Sequence, residues 1–289
     1  MGKILVIADL DGVGYATPRG LELARRLGYA TEVVAFTHAP LKELKLGAAE
    51  AGRIKQKLLD DREAVVQARI DKHAREGQKV TLKIVWEKNI DRWVNRQCAA
   101  GKYVGVVKTG NRSENLVHTS TDWQLLRECP APVLLISEKK WHHVKPVLVT
   151  LDLATHVATK KKLNSKVLGQ AKVLADALGV ELEIISAIEI PTLLSDLDLV
   201  DPVAYVKKAR AGMQGEIRKL AAEHGIPEQS FRCKRGPVEK VITSCAAKVR
   251  AQIVVMGTVG RTGVKARLLG NTAEKVLRHM KTDVLAIKP

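Results

Sequence analysis

Aromatic residues are scarce, with two Phe, four Tyr and four Trp among 289 residues. A core with so few rings has to be filled by Val, Ile, Leu and Ala. That suits parallel strands covered by helices on both faces, because such strands read as aliphatic runs. Long apolar runs are also missing, and no segment approaches the roughly 20 residues that a membrane helix needs. Met1-Gly2-Lys3 leads into the short run Ile4 to Ala8, which is too brief for a secretory signal and reads as a buried first strand. Cysteine is sparse as well: Cys98, Cys129, Cys233 and Cys245 form no C-x-x-C pair and have no nearby His at ligand spacing. This argues against a metal or disulfide framework and for a reducing cytoplasm.

Acidic residues are the minority charge, with 31 Asp+Glu against 48 Lys+Arg and a formal charge of +17. Such an excess attracts polyanions. The basic residues are spread along the chain instead of gathering with aromatics on one element, so general surface charge accounts for them and nucleic acid is not the expected partner.

What the chain does contain is itself, twice. Lys3-Ile4-Leu5-Val6-Ile7-Ala8-Asp9-Leu10 is echoed by Pro146-Val147-Leu148-Val149-Thr150-Leu151-Asp152-Leu153. Each is an aliphatic run ending in Asp, the form of a central parallel strand with a polar carboxyl end. An Ala/Leu-faced helix follows in both, Gly20 to Gly28 and Ser165 to Gly179, and each stops at Gly. Second strands are expected at Thr31 to Thr37 and Glu181 to Ile188. Cys98-Ala99-Ala100 and Cys245-Ala246-Ala247 then fall on equivalent helices, before fourth strands at Tyr103 to Val107 and Gln252 to Met256. Both halves finish with a helix and a strand: Thr121 to Cys129 then Val133 to Ser137, and Thr272 to Met280 then Val284 to Lys288.

This alternation predicts two tandem open, doubly wound parallel α/β sheets arising by duplication. The polar stretch Glu138 to His143 is the linker candidate, giving domains 1–141 and 142–289. The final strands of the halves are expected to pair across a pseudo-twofold axis, which would bury two sheet edges.

The second half carries a loop with chemical content. After its fourth strand come Met256-Gly257-Thr258-Val259-Gly260-Arg261-Thr262-Gly263-Val264-Lys265-Ala266-Arg267-Leu268-Leu269-Gly270-Asn271-Thr272. The spacing is G-x2-G-x9-G, followed by small polar residues and a helix. Glycines let backbone N–H groups approach an anion closely. Asn271 stands three residues before Glu274, the spacing of a capping box with Asn as N-cap. The N–H groups of that helix start would face a polyphosphate, and Arg261, Lys265 and Arg267 add positive charge. Three glycines can also simply make turns. The preceding strand, the following helix and the position at the carboxyl ends of the strands favour a ligand site, with Asp152 at the same edge.

The loop and the duplication together resemble the universal stress protein family, in its tandem E type, over essentially the whole chain. The resemblance implies an adenine nucleotide alpha-hydrolase-like fold in each half. It also implies that ATP or a related adenine nucleotide is bound in the second half by a sensor or regulator. Gly257, Gly260, Arg261, Gly270, Asn271 and Thr272 would hold the phosphates and ribose, Asp152 the nucleoside, and the Ala187 backbone the adenine. Asn271 departs from the family, which has Ser or Thr there. Single-domain relatives dimerise, so a homo-oligomer is a further expectation.

The first half departs more. Its segment Lys108 to Trp123 has Gly110 as its only glycine, Thr119 aligned with Gly270, and Trp123 at the helix start. A triphosphate would meet side chains there, so no nucleotide is expected.

Other features have ordinary readings. Asp9-Leu10-Asp11-Gly12 suits a strand-end turn better than a metal-binding acid pair. His142-His143 reads as solvated linker and His118 as a surface loop residue. Lys160-Lys161-Lys162 either attracts phosphate or forms a solvated face. The segments 41–76 and 191–224 are long, charged and helical in pattern. Within the second, Leu193, Leu194, Leu197 and Leu199 could line a cavity for a small apolar ligand or pack a helix on the sheet. No Ser-His-Asp set, carboxylate pair or Walker lysine is evident, so slow ATP hydrolysis is the most enzymatic reading available.

Overall fold

The computed structural model describes residues 2–10, 14–110, 121–138, 141, 144–191, 200–258 and 269–289. The chain divides into two compact units, Met1–Glu138 and Lys139–Pro289.

The first unit runs β1 (Lys3–Ile7), α1 (Ala16–Arg26), β2 (Ala30–Thr37), α2 (Ala48–His73), β3 (Val80–Trp86), α3 (Ile90–Ala99), β4 (Gly105–Thr109), α4 (Thr121–Glu128) and β5 (Val133–Ile136). Its strands are all parallel, in the order β3-β2-β1-β4-β5. The second unit runs β6 (Val147–Thr150), α5 (Ala158–Leu178), β7 (Leu182–Ile188), α6 (Pro202–His224), β8 (Phe231–Arg235), α7 (Val238–Lys248), β9 (Ile253–Gly257), α8 (Asn271–His279) and β10 (Asp283–Ile287). Its order is β8-β7-β6-β9-β10, again parallel. Each unit is therefore an open α/β sheet whose order reverses beside its first strand, and both have the same topology. Ligands of such sheets bind outside the carboxyl ends of the strands at that reversal.

The aliphatic composition sets the cores. Leu5, Val6, Val33, Val34 and Val106 are buried in the first unit, and Val147, Val149, Ile184, Val254 and Val255 in the second. The first helix of each unit stops where a glycine takes up positive φ, +69° at Gly28 and +68° at Gly179. Only a residue without Cβ does this cheaply.

Two helices begin earlier than their apolar faces suggest. α1 starts at Ala16, whose N–H donates to Asp9 Oδ2 at 3.1 Å. Asp9 thus works as a turn acceptor at the strand end, while Asp11 lies outside the described residues. α5 starts at Ala158, so Lys160 to Lys162 sit inside it. Ala and Lys are strong helix formers and extend a helix beyond the stripe that contacts the core.

The helices α3 and α7 are equivalent, but their register differs by one residue from the cysteine match. Trp93, Val94 and Cys98 face the core of one unit as Val241, Ile242 and Ala246 face that of the other. The segments with long helical pattern contain α2 and α6. Leu193, Leu194, Leu197 and Leu199 lie outside the described residues, as do His118, His142 and His143. Trp141 does not act as free linker, since its indole N–H donates to Asp283 Oδ2 at 2.6 Å.

Candidate functional site

At the carboxyl edge of the second sheet, β6 lies between β7 and β9. Thr150 is level with Ile185 on one side and with Met256 on the other. Continuing that register two residues brings Asp152 level with Ala187 and Thr258. Adjacent strands are about 4.8 Å apart, so these residues line one short row. Asp152 and Ala187 of the expected set are thus brought to the same edge as the end of β9.

The end of β6 is held from the helix that follows it. Asn164 is buried on the core face of α5, and its amide grips one residue twice. Asp152 N–H donates to Asn164 Oδ1 at 3.1 Å, and Asn164 Nδ2 donates to the Asp152 carbonyl at 2.8 Å. Next along, Leu153 N–H donates to Ser186 Oγ on β7 at 3.4 Å. The backbone of Asp152 is fixed while its carboxylate points outward, 53% exposed. Lys160 Nζ approaches that carboxylate at 3.4 Å, whereas Lys161 turns to Glu216 at 3.2 Å. Of the lysine run, only Lys160 is thereby shown at the site.

The loop between β9 and α8 is closed at its base. Thr258 is buried, and its N–H donates to the Ile287 carbonyl at 3.0 Å. Gly270 N–H donates to the Thr258 carbonyl at 2.9 Å, which ties the end of β9 to the start of α8. Residues 259–268, Gly260 and Arg261 among them, lie outside the described residues. Gly257 has a packing reason beside any ligand reason. A Cβ there would stand 2.8 Å from Leu163 Cδ2 on α5, closer than real Cβ atoms come. Glycine lets α5 settle onto β9.

The expected capping box does not form. The N-cap is Gly270, in extended conformation (φ −64°, ψ 139°), and Asn271 is the first helical residue with no side chain capping the start. The Glu274 N–H donates to the Gly270 carbonyl at 2.9 Å, and the Glu274 carboxylate pairs with Arg278 at 2.6 Å. The hydrogen bond from Gly270 to Thr258 draws the chain in one residue earlier than the sequence pattern suggests. The consequence is a helix start, next to Asp152's sheet edge, whose first-turn N–H groups carry no side-chain cap from the described residues. Asn271 and Thr272 are exposed on that first turn. Such a terminus favours an anion.

In the first unit the same edge carries charged contacts. Gly110 N–H donates to the Ile136 carbonyl as Thr258 N–H does to Ile287. Gly110 thus stands where Thr258 stands, and Thr109 takes the place of Gly257. Lys108, the counterpart of Met256, contacts Asp122 Oδ1 at 2.7 Å and donates to the Thr109 carbonyl at 2.8 Å. Both side chains of that pair are largely buried. On the other side of the edge, Arg62 of α2 reaches the end of β1. Its guanidinium donates to the carbonyls of Asp9 at 2.8 Å and of Ala8 and Leu10 at 3.2 Å.

Arg62 and Asn164 are the residues that sequence reasoning missed. Asn164 did leave a signal, a polar side chain beside Leu163, Val167 and Leu168 on the buried stripe. Arg62 left none, being one cation among many on α2. All four cysteines are buried thiols outside any disulfide, and among the described residues no group of His, Cys, Asp and Glu is arranged to hold a metal. No helix among them is long and apolar enough to cross a membrane.

Comparison with known proteins places this geometry among relatives. The model of the family described as "Universal stress protein family" matches residues 145–288. Universal stress protein E of Escherichia coli (strain K12) is 30% identical over 84% of this chain and 79% of its own length. The universal stress protein E homolog of Haemophilus influenzae is 30% identical over 99% of this chain and 96% of its own. Among solved structures, a universal stress protein from Archaeoglobus fulgidus DSM 4304 superposes with a TM-score of 0.63 at 17% identity, covering 99% of this chain and 96% of that one. This last likeness is one of fold.

Proposed function

The chain belongs to the universal stress protein family, and on that premise we propose that its second unit binds ATP or a related adenine nucleotide. It would act as a cytoplasmic sensor or regulator in the stress response. The observation that carries the proposal is the helix start at Gly270. It has no side-chain cap among the described residues, is tied to Thr258, and is set at the sheet reversal beside Asp152. Phosphates would take the first-turn N–H groups of α8 together with the backbone of the glycine loop, Gly257, Gly260 and Gly270, and Arg261 would add charge. Asn271 and Thr272, exposed on the first turn, would meet the ribose or phosphate oxygens. Asp152 would accept from the nucleoside hydroxyls, and the backbone at Ala187 would meet the adenine. The residues fit such a group because a helix start offers N–H donors and a dipole to the phosphates, while Asp152, held by its backbone at the same sheet edge, offers an exposed carboxylate acceptor.

The first unit is proposed to be without nucleotide. Its edge is spanned by the Lys108–Asp122 pair and by Arg62, and its first-strand Asp9 is occupied by the Ala16 N–H. Domains of 1–141 and 142–289 would therefore differ in role.

Asp152 offers a clean test because its carboxylate is not part of the core. Calorimetric titration with ATP is expected to show one site in the wild-type chain. Asp152→Asn should bind about tenfold more weakly, the equivalent of about 1.4 kcal/mol, with an unchanged unfolding midpoint. Absence of binding at millimolar ATP in the wild-type chain would refute the proposal.

A further inference from the structure

The two units are built to the same register, so each serves as a template for the other. In the first unit, Leu5 is level with Glu32 and Ile4 with Gly105. In the second, Leu148 is level with Glu183 and Val147 with Ile253. Glu32 and Glu183 are therefore equivalent. Tyr103, two residues before Gly105, is equivalent to Ala251, two residues before Ile253. The hydrogen bonds leading into these strands agree, Val104 N–H to the Lys3 carbonyl and Gln252 N–H to the Pro146 carbonyl, each at 2.9 Å.

Tyr103 is buried, and its hydroxyl donates to Glu32. A cation stands on the same glutamate, Lys3 at 3.6 Å. The second unit keeps the glutamate and the cation, with Arg232 at 3.2 Å from Glu183, but has Ala251 in place of the tyrosine. Glu183 and Leu148, the counterparts of Glu32 and Leu5, line a cavity of about 130 Å³. Leu148, Ile185 and Val249 give it apolar walls, and Glu183 and Cys245 stand on its lining. It lies near the amino-terminal ends of β6, β7 and β8, where α7 ends at Lys248. The nucleotide edge is at the opposite ends of those strands.

We propose that this cavity binds a small phenol-like molecule, an aromatic ring bearing a hydroxyl that donates to the Glu183 carboxylate. The ring would take the place that Tyr103 fills in the first unit. Size and chemistry both fit. An apolar protein cavity of about 150 Å³ is large enough for benzene. One Glu183 oxygen pairs with Arg232, as one Glu32 oxygen pairs with Lys3, and the second oxygen of such a charged acceptor favours a ligand that brings a donor. Lys234, whose ammonium is 3.1 Å from Cys245 Sγ, and Lys248 stand on the lining as well and would disfavour a cationic ring.

The test uses fluorine NMR of two probes, 4-fluorophenol and fluorobenzene, added to the full chain. Saturable binding of 4-fluorophenol is expected, roughly tenfold tighter than fluorobenzene, as one hydrogen bond to a charged acceptor implies. Ala251→Tyr should fill the cavity and abolish binding of both. Should that variant not fold, Glu183→Gln decides the matter: the preference for the phenol must then fall several-fold. Failure of 4-fluorophenol to saturate, equal binding by a folded Ala251→Tyr chain, or an unchanged preference in Glu183→Gln would each overturn the proposal.

Discussion

Replacing Lys108 by Met should destabilise the first unit by about 3–5 kcal/mol, as breaking one side of a buried ion pair does. The Lys108–Asp122 contact is 2.7 Å long, and the two side chains are 12% and 7% exposed. Without the ammonium, the largely buried Asp122 carboxylate loses a countercharge 2.7 Å away. The second unit shows a different solution at the same two positions, with Met256 on the strand and Ala273 on the helix, both buried. Adding Asp122→Ala to Lys108→Met should therefore return most of the lost stability. Denaturant unfolding of the single and double variants measures this directly. A single variant as stable as the wild-type chain would show that the pair does not hold the edge.

The second large effect is on binding. Gly270→Asp should weaken ATP binding by roughly a hundredfold or more, because like charges brought together cost several kcal/mol. The backbone tolerates the change, since Gly270 has φ −64° and ψ 139°, an extended conformation open to any residue. A carboxylate at this N-cap accepts from the first-turn N–H groups that the phosphates would otherwise use. It should also raise stability by a few tenths of a kcal/mol, the usual gain of Asp over Gly at an N-cap. Opposite signs for stability and binding separate this from general damage. Thermal unfolding and ATP titration of the same preparation give both.

Much of the architecture could be read from the amino-acid order, for reasons that vary along the chain. The runs Ile4 to Ile7 and Val147 to Thr150 are aliphatic because their strands are central and covered on both faces. Such strands announce themselves. The third strands, Val80–Trp86 and Phe231–Arg235, carry no such clear run. As outer strands they put Lys83, Arg232, Lys234 and Arg235 among their apolar residues, which protects an edge but blurs the pattern. Helix starts depart from the apolar pattern where propensity carries Ala158 to Asn164 into α5 ahead of its main apolar stripe.

At the site, glycine spacing pointed to the loop and a terminal Asp to the strand end. The cap at Gly270 in place of Asn271 was not legible, because it follows from a hydrogen bond to Thr258 across the loop. The grip of Asn164 on Asp152 and of Arg62 on the end of β1 is likewise long-range. Side chains that act on distant backbone leave no local period.

One nucleotide site per chain, at the start of α8, is the central claim. Native mass spectrometry of the chain equilibrated with ATP should show a single added nucleotide, and Gly270→Asp should show none at the same concentration. Two nucleotides per chain, or one that persists in Gly270→Asp, would contradict it.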